Sequence, residues 1–199
     1  VLLPDCRYEA SLWMIGGGQN GKGTITDTMQ AVIGIENCSN LQVRELKDPR
    51  FNLYHLENKM LNFSTETDER DPLSTEIFKK IVSGERLTTE RKYGSKYEFF
   101  PFVKFVISLN DLPVIPDKSM GFARRVKLLR FDQEFVEGEN RDPNRKKNLV
   151  VEKDAIFTWA VSGLYTLLDQ DHFVIGKKLQ EDKGNFMENL NPITEFWKE

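Results

Sequence analysis

Short apolar runs alternate with segments of helical spacing along most of the chain. The apolar runs predict strands at residues 12–15, 59–64, 103–109 and 124–131. Apolar residues spaced three and four apart predict helices at residues 24–34, 71–84 and 154–168, followed by a helical tail. Residues 137–148 are polar and predict a surface loop, whereas Trp13 and Trp159 are expected in the core. Because strands alternate with helices, the pattern favours an α/β fold with a mainly parallel sheet.

The composition is typical of a globular domain and narrows the choice of partners. The chain has 199 residues, 39% hydrophobic and 30% charged, and no apolar run approaches the roughly 18 residues of a membrane-spanning helix. The net charge of −3 excludes a generally basic surface, so any contact with nucleic acid must be local. Cys6 and Cys38 lie far apart and predict neither a disulfide framework nor a zinc site. We expect no membrane partner and a location in a reducing cytoplasm.

A cluster of glycines follows the first predicted strand. Gly16, four further residues and then Gly21-Lys22 match the start of the P-loop pattern. Glycines allow backbone N–H groups to turn inward around a phosphate, and the following helix adds its positive end. The hydroxyl that normally follows the lysine is replaced by Gly23, so Thr24 becomes the predicted Mg²⁺ ligand. The alternative is a glycine-rich turn that binds nothing. The residues predicted to bind ATP are Gly16, Gly17, Gly18, Gln19, Asn20, Gly21, Lys22, Gly23 and Thr24.

Three further positions have the residue types that an ATPase needs at its site. Glu66 follows the strand at residues 59–64 and is the acid best placed to hold Mg²⁺ and polarise water, or else part of a solvated acidic turn. Asn110 closes a strand and suits a hydrogen bond to the γ-phosphate, but it also suits a plain turn. Arg124 or Arg125 is predicted to reach the γ-phosphate bound by a neighbouring subunit, the alternative being a salt-bridged surface pair.

Basic and aromatic residues are concentrated between two predicted strands. Such a mixture suits single-stranded DNA, whose phosphates attract cations and whose bases stack on aromatic rings. The alternative is a solvated helix and hairpin in which neighbouring glutamates offset the charge. The predicted DNA-binding residues are Lys79, Arg91, Lys92 and Tyr93.

Five stretches of the chain read, in order, GGGQNGKGT, LKDPRFNLYHLENKMLNFSTE, FKKIVSGERLTTERKY, FVISLNDLP and GFARRVKLLRF. Together they resemble the helicase domain of phage and plasmid primase-helicases, within superfamily 3 of the helicases. In the second stretch the matching residues are Arg50, Phe51, Leu56, Lys59, Asn62 and Glu66. The sequence departs from the family at Gly23, which stands at the hydroxyl position, and at Glu66, which is a single acid where the family has an adjacent pair.

The resemblance implies an AAA+-like P-loop ATPase of α/β fold, with a core at residues 1–150 and a helical segment at residues 151–199. It implies a homo-oligomeric ring, typically a hexamer, that hydrolyses ATP with Mg²⁺ between subunits and encloses single-stranded DNA. A primase region and a winged-helix region would belong to the same longer protein, encoded by a phage, prophage or plasmid of a bacterial host. Two alternatives stay open: a P-loop nucleotide kinase, and a non-catalytic nucleotide-binding assembly module.

Overall fold

The computed structural model describes residues 1–65 and 73–190. The strands in chain order are β1 (Ser11–Ile15), β2 (Cys38–Ser39), β3 (Leu61–Thr65), β4 (Leu87–Glu90), β5 (Lys96–Phe99), β6 (Lys104–Leu109) and β7 (Val126–Arg130). Five of them form a parallel sheet in the order β2-β3-β6-β1-β7, while β4 and β5 form a separate antiparallel hairpin. The prediction of an α/β fold with a mainly parallel sheet is therefore confirmed.

Helices cover both faces of the sheet. They are α1 (Lys22–Ile33), α2 (Thr75–Val82), α3 (Met120–Ala123), α4 (Arg145–Val151), α5 (Lys153–Gln170) and α6 (Lys177–Leu190). On one face Met14 of β1 packs in a cluster with Met29 and Ile33 of α1. On the other face Trp13 meets Phe78 of α2 and Phe122 of α3 edge to face, each at 6.0 Å between ring centroids. Alternate residues of β1 thus enter two separate cores, as the two-residue period of a strand requires.

The position of β1 in the middle of the sheet explains why its sequence is an apolar run. In register, Ile15 lies beside Leu109 of β6 on one side and beside Arg130 of β7 on the other. Strands that are covered on both faces carry continuous apolar sequence rather than alternation. Because Leu109, Ile15 and Arg130 lie side by side, β6, β1 and β7 end together at one edge of the sheet, which we call the carboxyl edge.

The structure differs from the sequence predictions in three places. Trp159 is 76% exposed rather than buried, because α5 lies outside α1 and buries none of its residues completely. The polar segment at residues 137–148 is not entirely a loop, since α4 begins at Arg145 and packs against α1. The strands β4 and β5 were absent from the strand predictions, although the alternative of a solvated helix and hairpin includes a hairpin in this segment. None of the helices in the described ranges has both the length and the hydropathy that crossing a membrane requires.

Candidate functional site

The glycine loop, residues 16–21, lies at the carboxyl edge of the sheet. It leaves β1 between the ends of β6 and β7: the Gly16 N–H donates to the Leu109 carbonyl at 3.2 Å, and the Phe131 N–H donates to the Ile15 carbonyl at 2.7 Å. The loop then enters α1 directly at Lys22. A strand, a glycine loop and a helix follow one another here as the sequence predicts.

Two of the glycines are required by the shape of the loop, and three others face open space. A Cβ at Gly16 would lie 2.3 Å from the Phe131 carbonyl oxygen, and Gly21 has a φ of 87°, a left-handed value that favours glycine. A Cβ at Gly17, Gly18 or Gly23 would meet no atom within 4 Å. Gly17, Gly18 and Gly23 are themselves exposed, and since glycine has only main-chain atoms, main-chain atoms at these positions are accessible to a molecule outside the loop.

Lys22 is folded back onto the loop that precedes it. Its ammonium donates to the carbonyls of Gly16 and Gly17, the latter at 2.9 Å, and to Oδ1 of Asn20 at 3.1 Å. Asn20 in turn donates through Nδ2 to the Phe131 carbonyl at 3.3 Å, which ties the loop to the segment after β7. Lys22 is only 8% exposed, and this burial lowers the pKa of its amine. The cation is held by neutral oxygens that an anion could replace.

A cleft of about 670 Å³ opens beside the glycine loop. It is lined by Gly16, Gly17, Gly18, Asn110, Asp111, Arg130 and residues 131–134, among others. Asn110 follows the last residue of β6 and is exposed, so the structure brings it to the same cleft as the loop. Thr24 lies half-buried in the first turn of α1.

Acidic side chains of the described ranges do not form a metal site. Residues 1–65 and 73–190 contain no group of three or more His, Cys, Asp or Glu side chains arranged to hold a metal. Glu66, the predicted acid, lies outside the described residues and stays a prediction. Within the described ranges, Thr24 remains the predicted metal ligand.

Arg124 and Arg125 lie at the opposite edge of the sheet from the glycine loop. They precede β7, whose first residue Val126 pairs with Ser11 at the start of β1. The Ser11 N–H donates to the Arg125 carbonyl at 2.8 Å, which fixes this position at what we call the amino edge. The five residues of β1 separate the two edges by roughly 15 Å. Neither arginine is therefore placed to meet the glycine loop of its own chain.

The two adjacent arginines have different surroundings, although both pair with Glu9. The Arg125 side chain is 10% exposed and donates to Ser83 Oγ through Nη2 at 2.7 Å and through Nε at 3.1 Å, as well as to the Gly121 carbonyl. The Arg124 side chain is 58% exposed, and its ion pair with Glu9 lies at the surface. Arg125 is an internal cross-link between Ser83 at the end of α2, Gly121 of α3 and the N-terminal segment, whereas Arg124 is accessible.

The basic and aromatic residues of the β4–β5 hairpin fall into two groups. Arg91 is fixed at the base of the turn, where Glu57 accepts hydrogen bonds from its Nη2 at 3.1 Å and from the Tyr97 hydroxyl at 2.9 Å. Lys92 and Tyr93 occupy the tip, with the lysine ammonium 5.4 Å from the ring centroid. Tyr93 is 96% exposed, so its ring is accessible from outside the chain.

Lys79 does not share this environment. It lies on α2, and its ammonium pairs with Asp117 at 2.6 Å. This hydrogen bond, with further ones from Ser119, lowers the pKa of Asp117 to about 2. The predicted DNA-binding residues are thus divided between a hairpin tip, a fixed hairpin base and an ion pair between α2 and the loop at residues 110–119.

Some residues of these sites were not found by reading the sequence. Glu9 contacts both arginines, Glu57 holds the hairpin base, and Arg130 lines the cleft at the end of β7. Glu9 and Glu57 are isolated acids distant in sequence from their partners, so no local pattern identifies them. Arg130 lies within a predicted strand, and a single charge at a strand end carries no distinctive signal.

These features define an α/β protein with a parallel five-stranded sheet and a glycine loop at its carboxyl edge. The chain belongs to the family of unknown function DUF5906, whose sequence model matches residues 14–125. The matched region includes the glycine loop, Asn110 and both arginines. No curated protein matches the sequence.

Solved structures of the NrS-1 C-terminal region are similar in fold. An apo structure in the A form superimposes with a TM-score of 0.68 at 19% sequence identity, covering 94% of this chain and 43% of that one. A second apo structure of the region gives a TM-score of 0.61 at 23% identity, covering 76% of this chain and 36% of that one. At these identities the likeness concerns the fold. The chain spans less than half the length of the NrS-1 chains that it matches.

Proposed function

We propose that the chain is the ATP-hydrolysing motor domain of a DNA helicase or translocase, an AAA+-like P-loop ATPase from a phage or plasmid replication protein. The observation that carries the proposal is the glycine loop at the carboxyl edge, with accessible main chain at Gly17, Gly18 and Gly23 and with Lys22 at the start of α1. Accessible backbone amides, a helix N-terminus and a lysine together suit the phosphates of ATP.

The hydrolysis machinery would be assembled around this loop. Bound Mg²⁺ would supply charge neutralisation at the terminal phosphates. Thr24 and Glu66 are the residues that would hold the ion, and Glu66 would also polarise the attacking water. Mg²⁺ on a nucleotide needs only one or two protein ligands, which fits a site without an acidic cluster in the described ranges. Asn110, exposed in the same cleft, would hydrogen-bond the γ-phosphate.

The site would be completed by a second copy of the chain. Arg124 lies at the amino edge, roughly 15 Å from the glycine loop of its own chain, so it would act on a nucleotide bound by a neighbour. Arg125 is occupied by Ser83, Gly121 and Glu9, which makes Arg124 the better choice for this role. Such a head-to-tail interface closes into a ring, and we propose a hexamer.

Single-stranded DNA would contact the tip of the β4–β5 hairpin. Lys92 and Tyr93 present a cation and a stacking surface, while Arg91 supports the tip through Glu57. Lys79 contributes less in this proposal because Asp117 neutralises it. Repetition around a ring would bring several tips to one channel, so an acidic chain could still grip DNA. Primase and winged-helix regions of the same longer protein remain part of the proposal.

The direct test is hydrolysis of Mg-ATP by the chain with and without single-stranded DNA. We expect turnover that DNA stimulates, and Lys22→Ala should reduce turnover at least about 100-fold because the phosphates lose their cation. Lys153→Ala, at an exposed lysine of α5, is the matched control. Phosphate transfer to a nucleoside monophosphate would favour the nucleotide kinase. Nucleotide binding without turnover would favour the assembly module.

The DNA contact is tested separately at the hairpin tip. Tyr93→Ala should weaken the affinity for a fluorescent single-stranded oligonucleotide about tenfold, because a stacked base is lost. Tyr165→Ala removes a tyrosine of α5 that is 69% exposed and should leave the affinity unchanged. Equal affinities of the unsubstituted chain and the Tyr93 variant would place the DNA contact elsewhere.

A further inference from the structure

The entry to the glycine loop has a polar side chain on each side. Gly16 leaves β1 between Asn110, which follows β6, and Arg130, the last residue of β7. Arg130 is the register partner of Ile15, the residue directly before the loop. Arg130, Asn110 and Gly16 line the same cleft. An amide and a guanidinium therefore flank the loop within a single chain.

Arg130 supplies the positive charge among the described residues that line the cleft. Lys22 is turned toward loop carbonyls instead. The other charged residues of the lining are Asp111, Asp132 and Glu134, all acidic. A highly charged anion would meet three carboxylates here and would need a mobile cation close to the loop.

Arg130 is only loosely held. Its contact with Asp132 runs through Nε to Oδ1 at 3.4 Å, a long distance for an ion pair. The other oxygen of Asp132 accepts a hydrogen bond from Lys178 of α6 at 2.6 Å, so the carboxylate is shared between two cations. In the described part of the structure, the terminal nitrogens Nη1 and Nη2 of Arg130 are not engaged by this contact. They are the pair of donors that matches two oxygens of a phosphate.

We propose that Arg130 binds the terminal phosphate of a nucleoside triphosphate held by the glycine loop of its own chain. The inference rests on the proposed function, since the loop must hold the nucleotide. It assigns the two arginines to different roles: Arg130 acts within a chain at the carboxyl edge, and Arg124 acts between chains from the amino edge. Asn110 would contact the γ-phosphate from the opposite side of the loop. Because a diphosphate lacks this phosphate, the contact with Arg130 favours the binding of a triphosphate over a diphosphate.

The test compares the binding of two nucleotides by calorimetry in the presence of Mg²⁺. For Arg130→Gln, the Kd of an ATP analogue with a non-hydrolysable β–γ linkage should rise about tenfold, as expected for the loss of a charge-assisted contact. The Kd of ADP should change less than about twofold. Arg130→Lys should recover part of the loss because it restores the charge without the fork. Arg141→Gln, at an exposed arginine in the segment after β7, is the matched control.

The outcomes separate this inference from the proposed function. If Lys22→Ala loses both nucleotides while Arg130→Gln binds both as tightly as the unsubstituted chain, the glycine-loop site stands and the role of Arg130 is rejected. If Arg130→Gln weakens ATP and ADP equally, the contact is not with the terminal phosphate and the inference also fails. If the unsubstituted chain binds neither nucleotide, both proposals are rejected together.

Discussion

Positively charged side chains make different contacts at the two edges of the parallel sheet. At the carboxyl edge, Lys22 rests on neutral carbonyls and Arg130 touches its acid at 3.4 Å. At the amino edge, Glu9 lies between two guanidinium groups, and Arg125 is further fixed by two hydrogen bonds to Ser83. The carboxyl edge has cations that can exchange partners when an anion arrives. The amino edge has one arginine that is fixed and another, Arg124, that projects to the surface.

This difference indicates what a single chain lacks. The carboxyl edge offers exposed main chain, Lys22 bonded to neutral oxygens and Arg130 with a long ion-pair contact, which suit ground-state binding of phosphates. The arginine proposed for transition-state stabilisation is on the other edge, and under the proposed function a second copy would supply it. Binding and hydrolysis should therefore respond differently when the two edges are altered separately.

The largest expected effect comes from placing the defects of the two edges on different copies. Lys22→Ala and Arg124→Ala should each reduce ATP turnover at least about 100-fold when assayed alone, because every shared site is then incomplete. In a mixture, some interfaces pair an intact glycine loop with an intact Arg124. Turnover should then recover to a measurable fraction, followed as steady-state hydrolysis against mixing ratio.

Mixing Lys22→Ala protein with a second preparation of itself is the control and should give no recovery. Lack of recovery at every ratio of the two variants would contradict a site shared between copies. Full turnover by Arg124→Ala alone would contradict it more directly, because the amino edge would then be unnecessary for chemistry.

The second prediction concerns stability at the amino edge. Arg125→Ala should lower the free energy of unfolding by about 3 kcal/mol, since it removes a buried guanidinium and leaves Ser83 and part of Glu9 without partners. Arg124→Ala should cost less than about 1 kcal/mol, because its ion pair is at the surface. Urea unfolding of both variants measures the difference. Equal losses of the free energy of unfolding would mean that Arg124 and Arg125 contribute equally to stability, which contradicts the prediction.

The glycine loop could be predicted from the sequence because its parts are contiguous. Residues 12–15, the glycines, Lys22 and α1 follow one another directly, and the apolar run of a covered parallel strand is a strong local signal. The amino-edge cross-link could not be predicted, because Glu9, Ser83 and Arg125 meet only after folding. Glu66 is the one catalytic residue predicted for the site that lies outside the described ranges.

The hairpin was predicted only within the alternative of a solvated helix and hairpin, and its strands were not predicted, for a related reason. Residues 87–90 and 96–99 are short and rich in polar residues, so they lack the apolar pattern of a core strand. Their position is fixed by contacts from elsewhere in the chain: the Arg50 carbonyl accepts hydrogen bonds from Thr89 Oγ1 and from the Glu90 N–H, each at 2.9 Å. The exposure of Trp159 was missed because helical spacing alone does not show whether a helix packs on one side or on both.

The smallest expected effect concerns an ion pair that joins α2 to the loop after β6. Asp117, in the loop after β6, pairs with Lys79 of α2 at 2.6 Å, and the pKa of Asp117 is lowered to about 2 from an ordinary value of 3.8. A carboxyl group whose pKa is depressed by folding stabilises the folded state above its unfolded pKa. That contribution is lost as the pH falls from about 4 through 2.

Asp117→Asn therefore reduces stability at pH 5 but makes little difference near pH 2. The expected loss at pH 5 is about 1–2 kcal/mol, since the pair is partly open to solvent. Urea unfolding of both proteins across this pH range gives the difference. Asp111→Asn, at an exposed acid of the same loop, is the control for the loss of a carboxyl group. If the free energies of unfolding of the unsubstituted chain and of Asp117→Asn change in parallel from pH 5 to pH 2.5, Asp117 does not hold the loop to α2. The Asp117–Lys79 contact would then add little to the stability of the fold, in contrast to the contacts of Arg125 at the amino edge.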